Sequence, residues 1–155
     1  MTFSFESLLT AVKQNLSVIG KRMYTKDGKN LFSDITTSTA EDPIFNQYFF
    51  TASQNIEAML SEFIDSYSFG SESLTITFKN RRGIPDFDAR CGDMIGSYIS
   101  LYATGEYLAM THPDLAKKYQ DDSVSTFQSL TVYAFTKKEP TTATTGYSDI
   151  TGTVS

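Results

Sequence analysis

From Ser4 to Lys21 the apolar residues fall at Phe5, Leu8, Leu9, Val12, Leu16 and Ile19. That spacing puts them on one face of a helix, with Gly20 as its stop. Residues 22–42 break the pattern. Lys26-Asp27-Gly28-Lys29 holds a strong turn dipeptide, which closes a small hairpin or simply a loop. Ser33 to Glu41 is polar, and unstructured stretches of this length inside a compact domain are often functional. Asp42-Pro43 predicts the start of a second helix, because Asp can cap free amides and Pro suits the first helical position. Apolar residues at 44, 45, 48, 49, 52, 56, 59, 60, 63, 64 and 67 then extend it to Tyr67. Its stripe is wide: Phe45, Phe49, Phe50 and Phe63 exceed what one face holds. A buried central helix, or one shared with a neighbour, is expected.

Ser68-Phe69-Gly70-Ser71 breaks that helix. Ser73 to Lys79 alternates, with Leu74, Ile76 and Phe78 on one side, and predicts a half-buried strand. Asn80-Arg81-Arg82-Gly83 reads as a turn. A third helix is predicted from about Phe87 to Met110, its inner face carrying Cys91, Met94, Ile95, Tyr98, Ile99, Tyr102 and Leu108. Gly92 and Gly96, four apart, are expected to mark the close approach of another helix. Pro113 to Gln120 reads as a short helix. Ser125 to Lys137 reads as a second strand, with Leu130, Val132 and Ala134 on one side and Phe127, Thr131, Tyr133 and Phe135 on the other. Two strands alone are marginal, so pairing with strands of a neighbouring chain is expected.

The fold class predicted is α+β, mainly α: long helices packed with a small β element, and an extended C-terminal arm. At 155 residues one domain is expected, over 1–138, with the arm at 139–155. Six of the arm's residues are Thr and two are Gly; only Tyr147, Ile150 and Val154 are sizeable and apolar. Such a segment cannot offset its own ordering entropy, about 1–2 kcal/mol per residue. It is therefore read as an arm laid on another subunit. The expected interface residues are Phe127, Tyr133 and Phe135 on the second strand, and Tyr147, Ile150 and Val154 on the arm.

Charge and chemistry narrow the function. The net charge of −5 disfavours a phosphate-gripping nucleic-acid binder. Where basic residues gather they do so only as pairs, such as Lys21-Arg22 and Lys117-Lys118, as solvated turns and helix ends provide. Cys91 is the single cysteine, so no disulfide joins two parts of the chain. No signal peptide or membrane span is predicted. His112, the single histidine, precedes Pro113 and belongs to a turn. Together with one Cys it cannot supply a zinc site. A Cys91–His112 dyad is weighed against a buried thiol on a helix face, and the thiol is favoured. Either Asp86 or Asp88 is read as the helix N-cap, and Asp121-Asp122 as solvated. Glycine-rich phosphate loops and nucleophile elbows are missing from the sequence. The expectation is a non-enzymatic chain with no cofactor and no metal.

Thr51-Ala52-Ser53-Gln54-Asn55-Ile56-Glu57-Ala58-Met59-Leu60 sets small and acidic positions between bulky ones, and Met94-Ile95-Gly96-Ser97-Tyr98-Ile99-Ser100-Leu101-Tyr102 is an aliphatic run ending in Tyr. This layout, over roughly residues 40–110, resembles the head–tail adaptor (connector) proteins of tailed bacteriophages. The chain departs from that pattern by placing a strand between the two helices and by lacking an Arg after the helical Tyr. The resemblance implies a virion protein of the phage neck, assembled in the host cytoplasm into a homo-oligomeric ring, commonly twelvefold. Its partners would be the portal protein and tail or neck proteins, and it would lie close to viral DNA without gripping it, since like charge keeps phosphates off the wall. The alternative is a small acidic intracellular protein-binding module, immunity- or inhibitor-like, for a basic partner.

Overall fold

In the computed structural model, residues 1–20, 42–79 and 86–136 are described. The turn at 26–29, the turn at 80–83 and the arm at 139–155 lie outside the described residues. In chain order the elements are β1 (Thr2–Ser4), α1 (Phe5–Gly20), α2 (Asp42–Leu60), β2 (Ile64–Phe69), β3 (Ser73–Phe78), α3 (Phe87–Thr111) and α4 (Pro113–Phe135). The α+β, mainly α class expected from the sequence is the class observed.

α1 starts where Ser4 caps it: the Ser7 amide donates to Ser4 Oγ at 3.2 Å. Its first amide, that of Phe5, donates to the Glu72 carbonyl at 2.9 Å, tying the helix to the turn between β2 and β3. Phe5, Leu8, Val12 and Leu16 are buried, as the periodicity requires.

α2 is shorter than predicted. It ends at Leu60, the Phe63 amide turns back to the Leu60 carbonyl at 2.8 Å, and the chain leaves as β2. Phe63, Ile64 and Tyr67 happen to continue the helical spacing, which hid the change. β2 and β3 form an antiparallel hairpin closed by the Gly70 amide on the Ser73 carbonyl at 2.8 Å.

The predicted strand at 73–79 is therefore not an orphan. β3 is the centre of a three-stranded antiparallel sheet of order β1-β3-β2, with Phe3 opposite Leu74 and Tyr67 opposite Ile76. Its two partners come from the same chain, and no neighbour's strand is needed to complete it.

The largest correction concerns residues 125–137. Residues 125–135 are not a strand; they continue the helix begun at Pro113, and Lys137 lies outside the described residues. Thr, Val, Tyr and Phe favour strands by propensity, but packing against α3 outweighs a preference of at most about 1 kcal/mol. Leu130 and Ala134, four apart, are fully buried in that interface. The hydroxyls settle onto carbonyls four residues back: Thr126 on Asp122, Ser129 on Ser125 and Thr131 on Phe127, all at 2.9 Å.

α3 and α4 run antiparallel, joined through His112 alone, with Pro113 at the first turn of α4. Phe87 stacks on Tyr133 at 5.8 Å at one end of the pair, and Tyr98 meets Phe127 at 4.8 Å further along. Near the other end, a Cβ placed on Gly105 would lie 3.2 Å from the Gln120 backbone nitrogen. Gly105, and not Gly92 or Gly96, is thus where two helices approach closely. At Gly92 and Gly96 the neighbours are Met1 Sδ and the Phe3 ring of β1, at 3.5 and 3.6 Å. α1 and α2 pack on other faces of α3, which forms the spine of the core.

Candidate functional site

The residues expected to carry chemistry are scattered. Cys91 lies fully buried near the start of α3 and His112 at its end. A rise of about 1.5 Å per residue separates them by roughly 30 Å, so they form no dyad. Asp86 and Asp88 sit at the Cys91 end. Asp86 occupies the capping position with φ 56°, but its side chain makes no capping bond; its carbonyl accepts the Arg90 amide at 3.0 Å. Asp121 and Asp122 pair along α4 with Lys117 and Lys118, both at 3.4 Å, on exposed side chains. Among the described residues, no group of three or more His, Cys, Asp or Glu is placed to hold a metal ion. Nor is any described helix long and apolar enough to cross a membrane.

The expected interface residues have partners within the chain. Phe127 lies against Tyr98, Tyr133 stacks on Phe87 with the Arg90 guanidinium 6.0 Å from its ring, and Phe135 meets the Phe63 ring edge-on at 4.7 Å. Phe135 is still 44% exposed. Tyr147, Ile150 and Val154 lie outside the described residues.

Among the described residues, one concave feature that does assemble is a groove of about 640 Å³ between α2, α3 and α4. α2 contributes Asn55, Ala58 and Met59. α3 contributes Tyr98, Tyr102 and Glu106. α4 contributes Gln120, Ser123, Val124 and Phe127. Tyr98, Tyr102 and Glu106 stand four residues apart, so α3 presents them as one stripe. That i, i+4, i+8 pattern is the sequence signal that could have marked the groove. Both tyrosines are the inner-face positions expected, Tyr98 buried in the core and Tyr102 packed against it, so their share in a groove did not show.

The Tyr98 hydroxyl is held by the Asn55 side-chain amide, which donates to it at 3.1 Å. The Tyr98 and Tyr102 rings are 5.9 Å apart at 47°, making a corner. Tyr48, about two turns before Asn55 on α2, donates its hydroxyl to Met110 Sδ at 2.9 Å. Among the described residues, Glu106 is the single charged one lining the groove, and neither ion pair involves it.

Burial pushes the phenols of Tyr48, Tyr98 and Tyr102 above their ordinary value, and the Glu106 carboxylate pushes each further the same way. At Tyr98 the Asn55 hydrogen bond opposes these effects. A raised phenol pKa stabilises the folded state fully below the ordinary value of about 10; that contribution is lost as pH rises through the raised values. Alkaline titration followed by tyrosinate absorbance should therefore show a late component, and Glu106→Gln should move it to lower pH. An unchanged profile in the variant would place the carboxylate's influence elsewhere.

No protein-family model, curated protein or solved structure matches the chain. Its function is thus argued from its own residues.

Proposed function

We propose that the chain is a structural protein of a tailed-bacteriophage neck, a head–tail adaptor that assembles as a ring between portal and tail and lines the DNA passage. The observation that carries this reading is the apolar surface left uncovered around α4. Val124, Val132 and Phe135 are 54%, 71% and 44% exposed, and Met59 of α2, which lines a groove with Val124, is 43% exposed. Spacings of eight and three residues put the α4 side chains on one side of the helix. Grouped apolar exposure of this kind marks a surface that another protein covers. The acidic balance, −5 over the chain, supports a wall past which DNA slides without adhering.

Two supports expected from the sequence are withdrawn: β3 finds both of its partners within the chain, and 125–135 is helical. The reading now rests on the uncovered α4 surface, the helix layout and the arm.

The test is made on particles. Phage carrying a chain truncated before Glu139 should accumulate filled heads and free tails that fail to join, visible by electron microscopy. Virions of normal yield and form would remove the arm from the assembly. Virions that contain no copy of the chain at all would remove the adaptor reading itself. The single carboxylate of the groove also suits an acidic module for one basic protein; a one-to-one complex with such a protein, in place of a ring, would favour that reading.

A further inference from the structure

We infer that the groove between α2, α3 and α4 is a docking site for a partner segment that inserts one lysine or arginine side chain between apolar neighbours. Glu106 is the anchor of that cation, and the half-buried Tyr102 ring, set against the buried Tyr98, is its seat. The inference rests on the assembly role proposed above only in taking the occupant to be a protein segment.

Charge complementarity selects the occupant. Of the ten described residues lining the groove, one is charged, and it is an acid. Among the described residues no lysine or arginine lines the site, and the ion pairs lie elsewhere, on exposed α4. An anionic segment would meet Glu106 with repulsion. A purely apolar segment would cover a carboxylate without a partner, which costs more than leaving it in water. A cation removes that cost and gains from the ring faces beside it. The stem of a lysine or arginine is itself apolar, so it can lie along Met59, Val124 and Phe127 while its head reaches the acid.

The neighbouring residues hold the site in shape. Asn55 fixes the Tyr98 hydroxyl, and Phe127 backs the Tyr98 ring at 4.8 Å. The raised phenol pKa values of Tyr98 and Tyr102 agree with a carboxylate acting close to both rings. Met59 and Val124, 43% and 54% exposed, provide apolar flanks for the residues beside the cation. The free site thus offers a charge, an aromatic corner and two apolar lips in one cleft.

The probe is a blocked pentapeptide, Gly-Leu-Arg-Leu-Gly, titrated into the full chain and followed by amide and tyrosine-ring NMR shifts. Saturable shifts centred on Tyr98, Tyr102 and Glu106 are expected. Glu106→Gln should weaken binding by about tenfold, as loss of a charge partner in a partly desolvated site does. The same peptide with Glu in place of Arg should not bind. Glu106→Asp, which keeps the charge, should restore part of the affinity and so separates charge from shape. Equal binding of the Arg and Glu peptides, unchanged affinity in Glu106→Gln, shifts that map outside the groove, or no shift at all would each overturn the inference. Its failure would leave particle assembly unaffected, so the two proposals fail independently.

Discussion

Phe45→Ala should lower the stability of the chain by about 3–5 kcal/mol, the usual cost of emptying a buried aromatic site. Phe45 is 1% exposed. Its ring stacks on Tyr107 at 5.2 Å and 30°, and meets Tyr48 edge-on at 6.2 Å. It therefore seals the seam between α2 and α3 near the start of α2. Truncation removes transfer free energy, leaves a cavity and breaks an aromatic contact that adds about 0.5–1.5 kcal/mol by itself. A domain of this size has only about 5–15 kcal/mol in total, so the variant should sit near its unfolding threshold. Urea denaturation followed by circular dichroism measures the loss. Phe50→Ala is the control: Phe50 is 40% exposed and touches Phe69 edge-on at 5.1 Å, so its loss should cost well below half as much. Equal losses at the two positions would contradict the assignment of the buried seam.

Gly105→Leu is the second large effect. The first atom beyond Cα would already lie 3.0 Å from Gln120 Cγ and 3.2 Å from the Gln120 nitrogen. The Cγ belongs to an exposed side chain and can swing aside. The nitrogen is backbone and moves only if α4 moves. A leucine must therefore pry the two helices apart, at a cost of about 1–3 kcal/mol or somewhat more. Gly105→Ala should lie much nearer to wild type, because a helix propensity gain of up to about 1 kcal/mol offsets the tight contact. Gly92→Ala, where the nearest atom is Met1 Sδ at 3.5 Å, should be neutral or stabilising. Thermal melts of the three variants give an ordering, Leu at 105 lowest and Ala at 92 highest. Because Glu106 follows directly, the leucine variant should also disturb the groove.

The sequence was legible where one periodicity ran without competition. Phe5 to Ile19 alternates at helical spacing and nothing else, and α1 follows it. Leu74, Ile76 and Phe78 alternate cleanly, and β3 follows them. α3 was found to within a residue or two at each end. Legibility failed where two patterns overlapped. Ile64 and Tyr67 satisfy both a helix continuing from Leu60 and a strand, and only pairing with Phe78 and Ile76 decides between them. β1 is three residues long, too short to show any period. The second half of α4 has strand-like composition, and its helical state is imposed by α3, a partner that lies before it in sequence but beside it in space. The groove was hidden for a related reason. It is made by three helices together, so no local window contains it, and Glu106 gains meaning only when Tyr98, Tyr102 and Met59 stand around it.

β1 has a consequence for the order in which the molecule comes apart. β2 and β3 are joined by a tight turn, whereas β1 reaches β3 across more than seventy residues of chain, with Met1 and Ile76 exchanging backbone hydrogen bonds at 2.8 and 3.0 Å. Closing so long a loop costs entropy that a three-residue strand recovers poorly. The N-terminal strand should therefore be the last to dock and the first to release, while the β2–β3 hairpin stays intact. Within β3, the Ile76 amide, bonded to Met1, should exchange its hydrogen with solvent sooner than the amides that face β2. Each such release would uncover Gly92 and Gly96 and open a bare track along the spine of the molecule.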